Sequence, residues 1–185
     1  MEELAKRYEE ETGKHVEMSF GGSEDLLPKV KLKANGDVFV THDPYQQYTE
    51  EAGALGREVE VGFLAPVLVV QKGNPQGVKG IEDLTREGLT VVLPDQQYST
   101  CGQMVMKLLE EKQITDDVMK NVGDRLVRDH ALVGNQLKLK TSDVGIMWNG
   151  VANKFADVLD IVPGPDEYEE IRVSVMGLSY SKKKA

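Results

Sequence analysis

Short apolar, β-branched runs alternate with helical stretches along almost the whole chain, and this alternation restricts the fold more than any other feature. Residues 1–12 repeat Leu4, Ala5 and Tyr8 at helical spacing and stop at Gly13. The alternating run 15–20 predicts a strand, followed by a helix over 26–33, a strand over 37–40 and a helix over 45–54. A strand over 63–71 leads into the turn-forming residues 72–77 and a short helical turn at 81–84. The next unit is a strand at 89–93, a loop at 94–99 and a helix over 101–112 with Met104, Val105, Leu108 and Leu109 on its apolar face. Helices at 114–120 and 131–139, a strand approaching residue 127, and strands at 143–148, 158–162 and 171–178 complete the pattern. Strand–helix–strand alternation predicts an α/β fold built on a mostly parallel sheet covered by helices.

A chain of 185 residues is one large domain or two small lobes, and it can bury a core without covalent staples. Extended segments near 62–66 and 157–163 are candidate crossings between two alternating blocks. No internal repeat, low-complexity stretch or flexible linker interrupts them, and the basic tail 181–185 reads as a frayed end. The single cysteine, Cys101, excludes an intrachain disulfide. With 22 Lys+Arg against 31 Asp+Glu, the formal charge of −9 argues against general nucleic-acid binding and weakly against any small anion. The longest apolar run, 63–70, contains Pro66 and falls far short of the ~20 residues of a membrane span. Met1 is followed at once by Glu2 and Glu3, which does not fit a secretory leader.

Three places share one design, a strand, a short polar loop and a helix start: Phe20-Gly21-Gly22-Ser23, Tyr98-Ser99-Thr100-Cys101-Gly102, and Arg128-Asp129-His130-Ala131. A helix start exposes unpaired N–H groups and about half a positive charge. Glycine admits a ligand close to the backbone, and Ser or Thr hydroxyls add uncharged donors, so such a point suits a small oxyanion. The competing reading is an ordinary N-cap, worth ~1 kcal/mol. At the first loop, Glu24 and Asp25 suit the helix dipole but repel an anion, and Pro28 blurs where the helix begins.

Other chemistry is less well supported. Cys101 near a helix start, where a thiol pKa is expected to fall, and His130 could form a nucleophile and base, but no third orienting group is evident. His15, His42 and His130 lack metal-ligand spacing, so no metal site is assigned. His15 is expected on an exposed face, and Thr41 or His42 could face a cleft beyond the strand at 37–40. Trp148 packs at a sheet end or forms a cleft wall, with Asn149 offering an amide. Neither a phosphate-binding Gly-x-x-x-x-Gly-Lys loop nor a Gly-x-Gly-x-x-Gly turn is present, so no nucleotide cofactor is implied.

Residues 4–13, Leu-Ala-Lys-Arg-Tyr-Glu-Glu-Glu-Thr-Gly, followed by Phe20-Gly21-Gly22-Ser23, resemble the start of the molybdate/tungstate-binding family of ABC-transporter periplasmic solute-binding proteins. Asp37-Val38-Phe39-Val40 with Asp43-Pro44, the run 69–75, Ile81-Glu82-Asp83-Leu84 and Asp143-Val144-Gly145-Ile146-Met147-Trp148 match that family in order and spacing. The resemblance implies a two-lobe type II periplasmic binding fold with mixed or parallel sheets and helices on both faces. Lobe 1 would be residues 1–63 plus 160–185 and lobe 2 residues 64–159, closing on a tetrahedral oxyanion. It further implies a monomeric, non-enzymatic periplasmic protein that needs no cofactor and hands molybdate or tungstate to a membrane permease. By position, the ligand set would be Gly22, Ser23, Thr100, Cys101, Gly102, His130, Ala131 and Trp148, with no metal. Alternatives are sulfate, phosphate, an organic anion or a metal ion on the same fold, or a thiol enzyme using Cys101. Family members open with a strand and a serine-bearing loop ahead of the first helix; this chain opens at that helix, so that strand and one donor are expected to be missing.

Overall fold

The computed structural model describes residues 1–163 and 169–183. The chain runs α1 (Glu2–Thr12), α2 (Ser23–Lys31), β1 (Val38–His42), α3 (Tyr45–Glu51), β2 (Leu55–Leu64) and β3 (Pro66–Gln71). A 3-10 turn at Ile81–Thr85 precedes β4 (Val91–Pro94), α4 (Thr100–Glu111), α5 (Thr115–Val122), β5 (Leu126–Val127) and α6 (His130–Lys138). Then follow β6 (Val144–Trp148), α7 (Asn149–Ala152), a 3-10 turn at Asn153–Phe155, β7 (Leu159–Ile161) and β8 (Ile171–Leu178).

The strands form two sheets, one ordered β1-β8-β2 and the other β5-β4-β6-β3-β7. The smaller sheet is antiparallel throughout. In the larger one only the β5-β4-β6 pairings are parallel, while β3 runs antiparallel to both neighbours. The expected predominance of parallel strands is therefore corrected to a mixed arrangement. The cause is that β8 returns between β1 and β2, and β3 follows β2 after a break at Ala65 rather than after a crossover helix. The one strand expected at 63–71 is two for the same reason, and most of β2 was missed although Glu58-Val59-Glu60-Val61 alternates polar and apolar residues.

Each sheet carries its own core. Val91, Leu93, Val144 and Ile146 of the larger sheet pack with Cys101, Val105 and Leu109 of α4 on one face. Val69, Val92 and Met147 meet Val133 and Leu137 of α6 on the other. Fully burying a Val or Leu is worth roughly 1.5–3 kcal/mol, so helices on both faces fix this unit firmly. The smaller sheet buries Phe39, Met176 and Leu178 against Leu27 and Val30 of α2. Asp143 joins β4 to β6: its carboxylate accepts from the Thr90 backbone N–H at 2.9 Å and hydroxyl at 2.6 Å. Burial pushes that carboxyl up, but the hydrogen bonds from Thr90 and Gln76 and the Arg125 charge together outweigh it and hold the carboxyl below its ordinary range.

Three local expectations are corrected. Residues 15–20 form no strand; among the described residues they pair with no sheet, and the backbone N–H of Val16 bonds to Glu9 instead. His15 is exposed beside Glu9, as expected of its side chain, although in an unpaired segment. The tail is tethered rather than frayed at Ser181, which donates to Asp37 at 2.6 Å, and at Lys183, which pairs with it at 3.1 Å. Lys184 and Ala185 lie outside the described residues.

Candidate functional site

The helix starts of α2, α4 and α6 lie where the two sheet units face each other. At α2, Gly22 is the N-cap in extended conformation, and its carbonyl accepts from the N–H groups of Asp25 and Leu26. Pro28 sits inside this helix, which begins at Ser23 with Leu27 and Val30 buried. The Ser23 hydroxyl oxygen accepts from the buried Thr41 hydroxyl at 2.7 Å, which leaves the Ser23 proton available to donate elsewhere.

At α4, Ser99 is the N-cap, and its oxygen accepts from the Gly102 N–H at 3.3 Å. Gly102 lies so close to the preceding loop that a Cβ there would come within 2.5 Å of the Pro94 carbonyl oxygen. Cys101 is 0% exposed, and burial raises its thiol pKa far above the ordinary value. The expectation of a lowered thiol pKa is corrected: the side chain turns into the apolar core beside Val105 and Leu109, where desolvation outweighs the helix start.

At α6, Asp129 caps the helix by accepting from the Ala131 N–H at 2.8 Å. His130 places Nε2 3.2 Å from the Ser99 hydroxyl. Its Nδ1 is buried and finds no hydrogen-bond partner among the described residues. Burial pushes its pKa down to about 4; the nearby Asp129 charge opposes that shift and His42 adds to it.

Five rings link the two sheet units in series. Tyr48 stands 5.8 Å from Tyr45, Tyr45 5.4 Å from His42, His42 5.4 Å from Trp148, and Trp148 5.9 Å from His130. Trp148 is 6% exposed and pairs with Pro66, one residue beyond the chain crossing at Ala65. His42 is held by the Asp43 carbonyl, 2.8 Å from Nδ1, and burial lowers its pKa. Burial first, and then the Glu24 charge, raises the Tyr45 pKa, while the Thr100 side chain beside it partly offsets the rise. Arg128 lies 4.0 Å over the Tyr98 ring and 3.9 Å from Asp25 on the opposite unit. Arg172 grips Asp43 with Nε at 3.1 Å and Nη2 at 3.2 Å, tying the start of β8 to the end of β1.

The structure thus brings Ser23, Thr100, His130 and Trp148 to one interlobal region, with Gly22, Cys101, Gly102 and Ala131 in the backbone beneath. The N–H groups of Gly102 and Ala131 already serve the Ser99 and Asp129 caps. The Asn149 amide oxygen accepts from the Gly150 N–H at the start of α7. Sequence reasoning placed Ser99 in the second candidate loop and Thr41 or His42 toward a cleft without assigning either as a ligand, and it missed Tyr45. Ser99 carried a signal, since Ser two residues before a helical Cys101 is an N-cap pattern; Tyr45 carried none, because only tertiary packing brings it to Thr100. Among the described residues, no group of three or more His, Cys, Asp or Glu is close enough to hold a metal ion. None of the described helices is long and apolar enough to cross a membrane.

Two α/β units, joined by extended crossings and facing each other through helix starts, define the class of type II periplasmic binding folds. The chain belongs to the bacterial extracellular solute-binding protein family, whose profile matches residues 1–185. It is 24% identical over 187 residues to a binding protein of Haemophilus influenzae, covering 99% of this chain and 74% of that one. It is 28% identical over 160 residues to the molybdate-binding protein ModA of Mycobacterium tuberculosis, covering 78% of this chain. The chain spans about three fifths of that mycobacterial relative, the matched share being 61%. The periplasmic molybdate-binding protein of Azotobacter vinelandii has the same fold, with a TM-score of 0.74 at 16% identity over 98% of this chain and 81% of the other.

Proposed function

We propose that this protein captures a tetrahedral oxyanion of the molybdate or tungstate type between two lobes, outside the cytoplasm, and delivers it to an ABC-transporter permease. The lobes are residues 1–63 with 160–185, and residues 64–159. The observation that carries this reading is the meeting of three helix starts from both units around a largely uncharged donor set. Ser23 and Thr100 supply hydroxyls, the first turn of α4 supplies the N–H groups of Thr100 and Cys101, and His130 supplies an imidazole. Gly22 caps α2 with the Glu24 carboxylate packed against its Cα, Gly102 and Ala131 shape the turns beneath, and Trp148 forms the wall. Neutral donors fixed before binding replace the hydration shell of an anion without reorganising, so the net charge of −9 does not forbid binding. The resemblance to molybdate-binding proteins in sequence and fold supports the same ligand class.

Ligand capture would bring the α2 start toward the α4 and α6 starts, and lobe closure is the form a permease would recognise. The protein acts as a monomer in this scheme and performs no covalent step. Calorimetric titration with molybdate, tungstate, sulfate and phosphate tests the reading. One-to-one binding of at least molybdate or tungstate is expected; no heat and no rise in melting temperature with any of the four refutes it.

A further inference from the structure

We propose that Asn35 is a site of spontaneous covalent modification, closing on the backbone nitrogen of Gly36 to a succinimide that opens to aspartate and isoaspartate, while the same dipeptide at Asn149-Gly150 is protected. Asn-Gly occurs at these two places in the chain. Glycine after asparagine leaves the attacking nitrogen unhindered, so the sequence alone makes the two steps equal. The fold makes them unequal.

Asn35 and Gly36 lie between α2 and β1, outside any helix or strand, and both are exposed. Gly36 has a φ of +99°, a conformation that favours glycine, so the turn itself calls for the residue that exposes its neighbour. Among the described residues, neither the Asn35 side-chain amide nor the Gly36 N–H makes a hydrogen bond. The Asn35 carbonyl accepts one bond, from the Tyr180 hydroxyl at 3.0 Å. Once that hydroxyl lets go, a local motion of an exposed turn brings the Gly36 nitrogen onto Asn35 Cγ.

At Asn149-Gly150 the peptide unit is held on both sides. The Asn149 carbonyl accepts from the Asn153 N–H in α7, and the Gly150 N–H donates to Asn149 Oδ1 at 2.7 Å. The Asn149 N–H is bound in turn to the Ala65 carbonyl at 3.0 Å. The nitrogen that would attack must first lose a proton that Oδ1 already holds, and α7 must unwind before the plane can turn.

Hydroxide removes the Gly36 amide proton, the nitrogen bonds to Asn35 Cγ, and the Cγ–Nδ2 bond breaks with release of ammonia. Water then adds to one of the two ring carbonyls. Opening at Cγ gives aspartate; opening at the main-chain carbonyl gives isoaspartate, with the chain rerouted through Cβ and Cγ. Nothing is oxidised or reduced, and the sum is amide plus water to carboxylate plus ammonium. Either product sets a new carboxylate near Asp37, which accepts from Ser181 at 2.6 Å and pairs with Lys183 at 3.1 Å. Isoaspartate also displaces the carbonyl that Tyr180 grips. The modification therefore loosens the C-terminal segment, beyond the end of β1 opposite to His42.

Intact protein held at mildly alkaline pH, with and without urea, is followed by peptide mapping for amide-to-acid conversion and by enzymatic methylation of isoaspartate. In the folded protein Asn35 should convert on the order of tenfold faster than Asn149 or more, because the latter waits on local unfolding; in urea the two rates should converge. Asn35→Gln should lose the product at this turn. Hydrogen–deuterium exchange over residues 179–183 should rise in the converted protein and not in Asn35→Gln treated alike. Equal rates in the folded protein, or faster conversion of Asn149, overturn the proposal, and unchanged exchange in converted protein overturns its link to the tail. Neither readout involves an oxyanion, so the outcome is independent of whether one binds.

Discussion

Acidification should destabilise the ligand-free protein through His130 before most carboxylates are protonated. Burial holds this imidazole at a pKa of about 4, the Asp129 charge raising it somewhat and His42 lowering it. In the unfolded chain a histidine titrates near 6.5. The folded value is the lower of the two, so the unfolded state takes up the proton first. Stability is fully present above about pH 6.5 and declines as pH falls from there toward 4. At pH 5 the unfolded imidazole is almost wholly protonated and the native one almost wholly neutral, which costs the native state about 2 kcal/mol relative to neutral pH. His42, lowered by burial as well, acts in the same direction. Urea unfolding of wild type and His130→Gln at neutral pH and near pH 5 isolates the effect, since the other titrating groups are common to both. The wild type should lose about 2 kcal/mol more than the variant over this interval. Equal losses in the two proteins would refute the claim that His130 is buried neutral between the lobes.

Gly102→Ala should cost the fold roughly 1–3 kcal/mol in thermal or urea unfolding, because its Cβ would meet the Pro94 carbonyl oxygen at 2.5 Å and the Gln96 nitrogen at 2.7 Å. Cys101, 0% exposed and with its thiol pKa raised by burial, should resist alkylation by iodoacetamide in the native state and react on unfolding, as followed by intact mass. Thr90→Val should lower stability by about 1–3 kcal/mol, since it leaves the Asp143 carboxylate without its 2.6 Å hydroxyl donor, and hydrogen–deuterium exchange should rise along β4 and β6. The acidic surface should slow anion capture at low ionic strength, so stopped-flow association rates should increase with salt; a decrease would contradict repulsive steering by the charge of −9.

Much of the layout was legible wherever periodicity and local chemistry agreed. The span of β8 matches its expected bounds, and the apolar face of α4 was read from Val105 and Leu109 because helical spacing and burial coincide there. Residues 15–20 show the limit of that reasoning. Their alternation of His15, Glu17 and Ser19 with Val16, Met18 and Phe20 has a strand's period, but a period cannot supply the neighbouring strand that makes one. Cys101 failed for a related reason. Its position at a helix start was visible, whereas the direction of its side chain into the core was not, and the direction decides its pKa. At the site, the helix starts were readable from Gly22-Ser23 and Thr100-Gly102. The contacts that unite them, Thr41 with Ser23, Ser99 with His130 and His42 with Trp148, join residues 18, 31 and over 100 positions apart, and only the fold brings them together.

In the proposed function, one oxyanion is held between the two units by the starts of α2, α4 and α6. Tungsten scatters X-rays anomalously, so a crystal of the protein grown with tungstate locates the ion without assumptions about its surroundings. A single strong anomalous peak is expected within hydrogen-bond distance of the Ser23 hydroxyl and the first turn of α4. A peak elsewhere on the molecule, or none in a crystal saturated with tungstate, would contradict it.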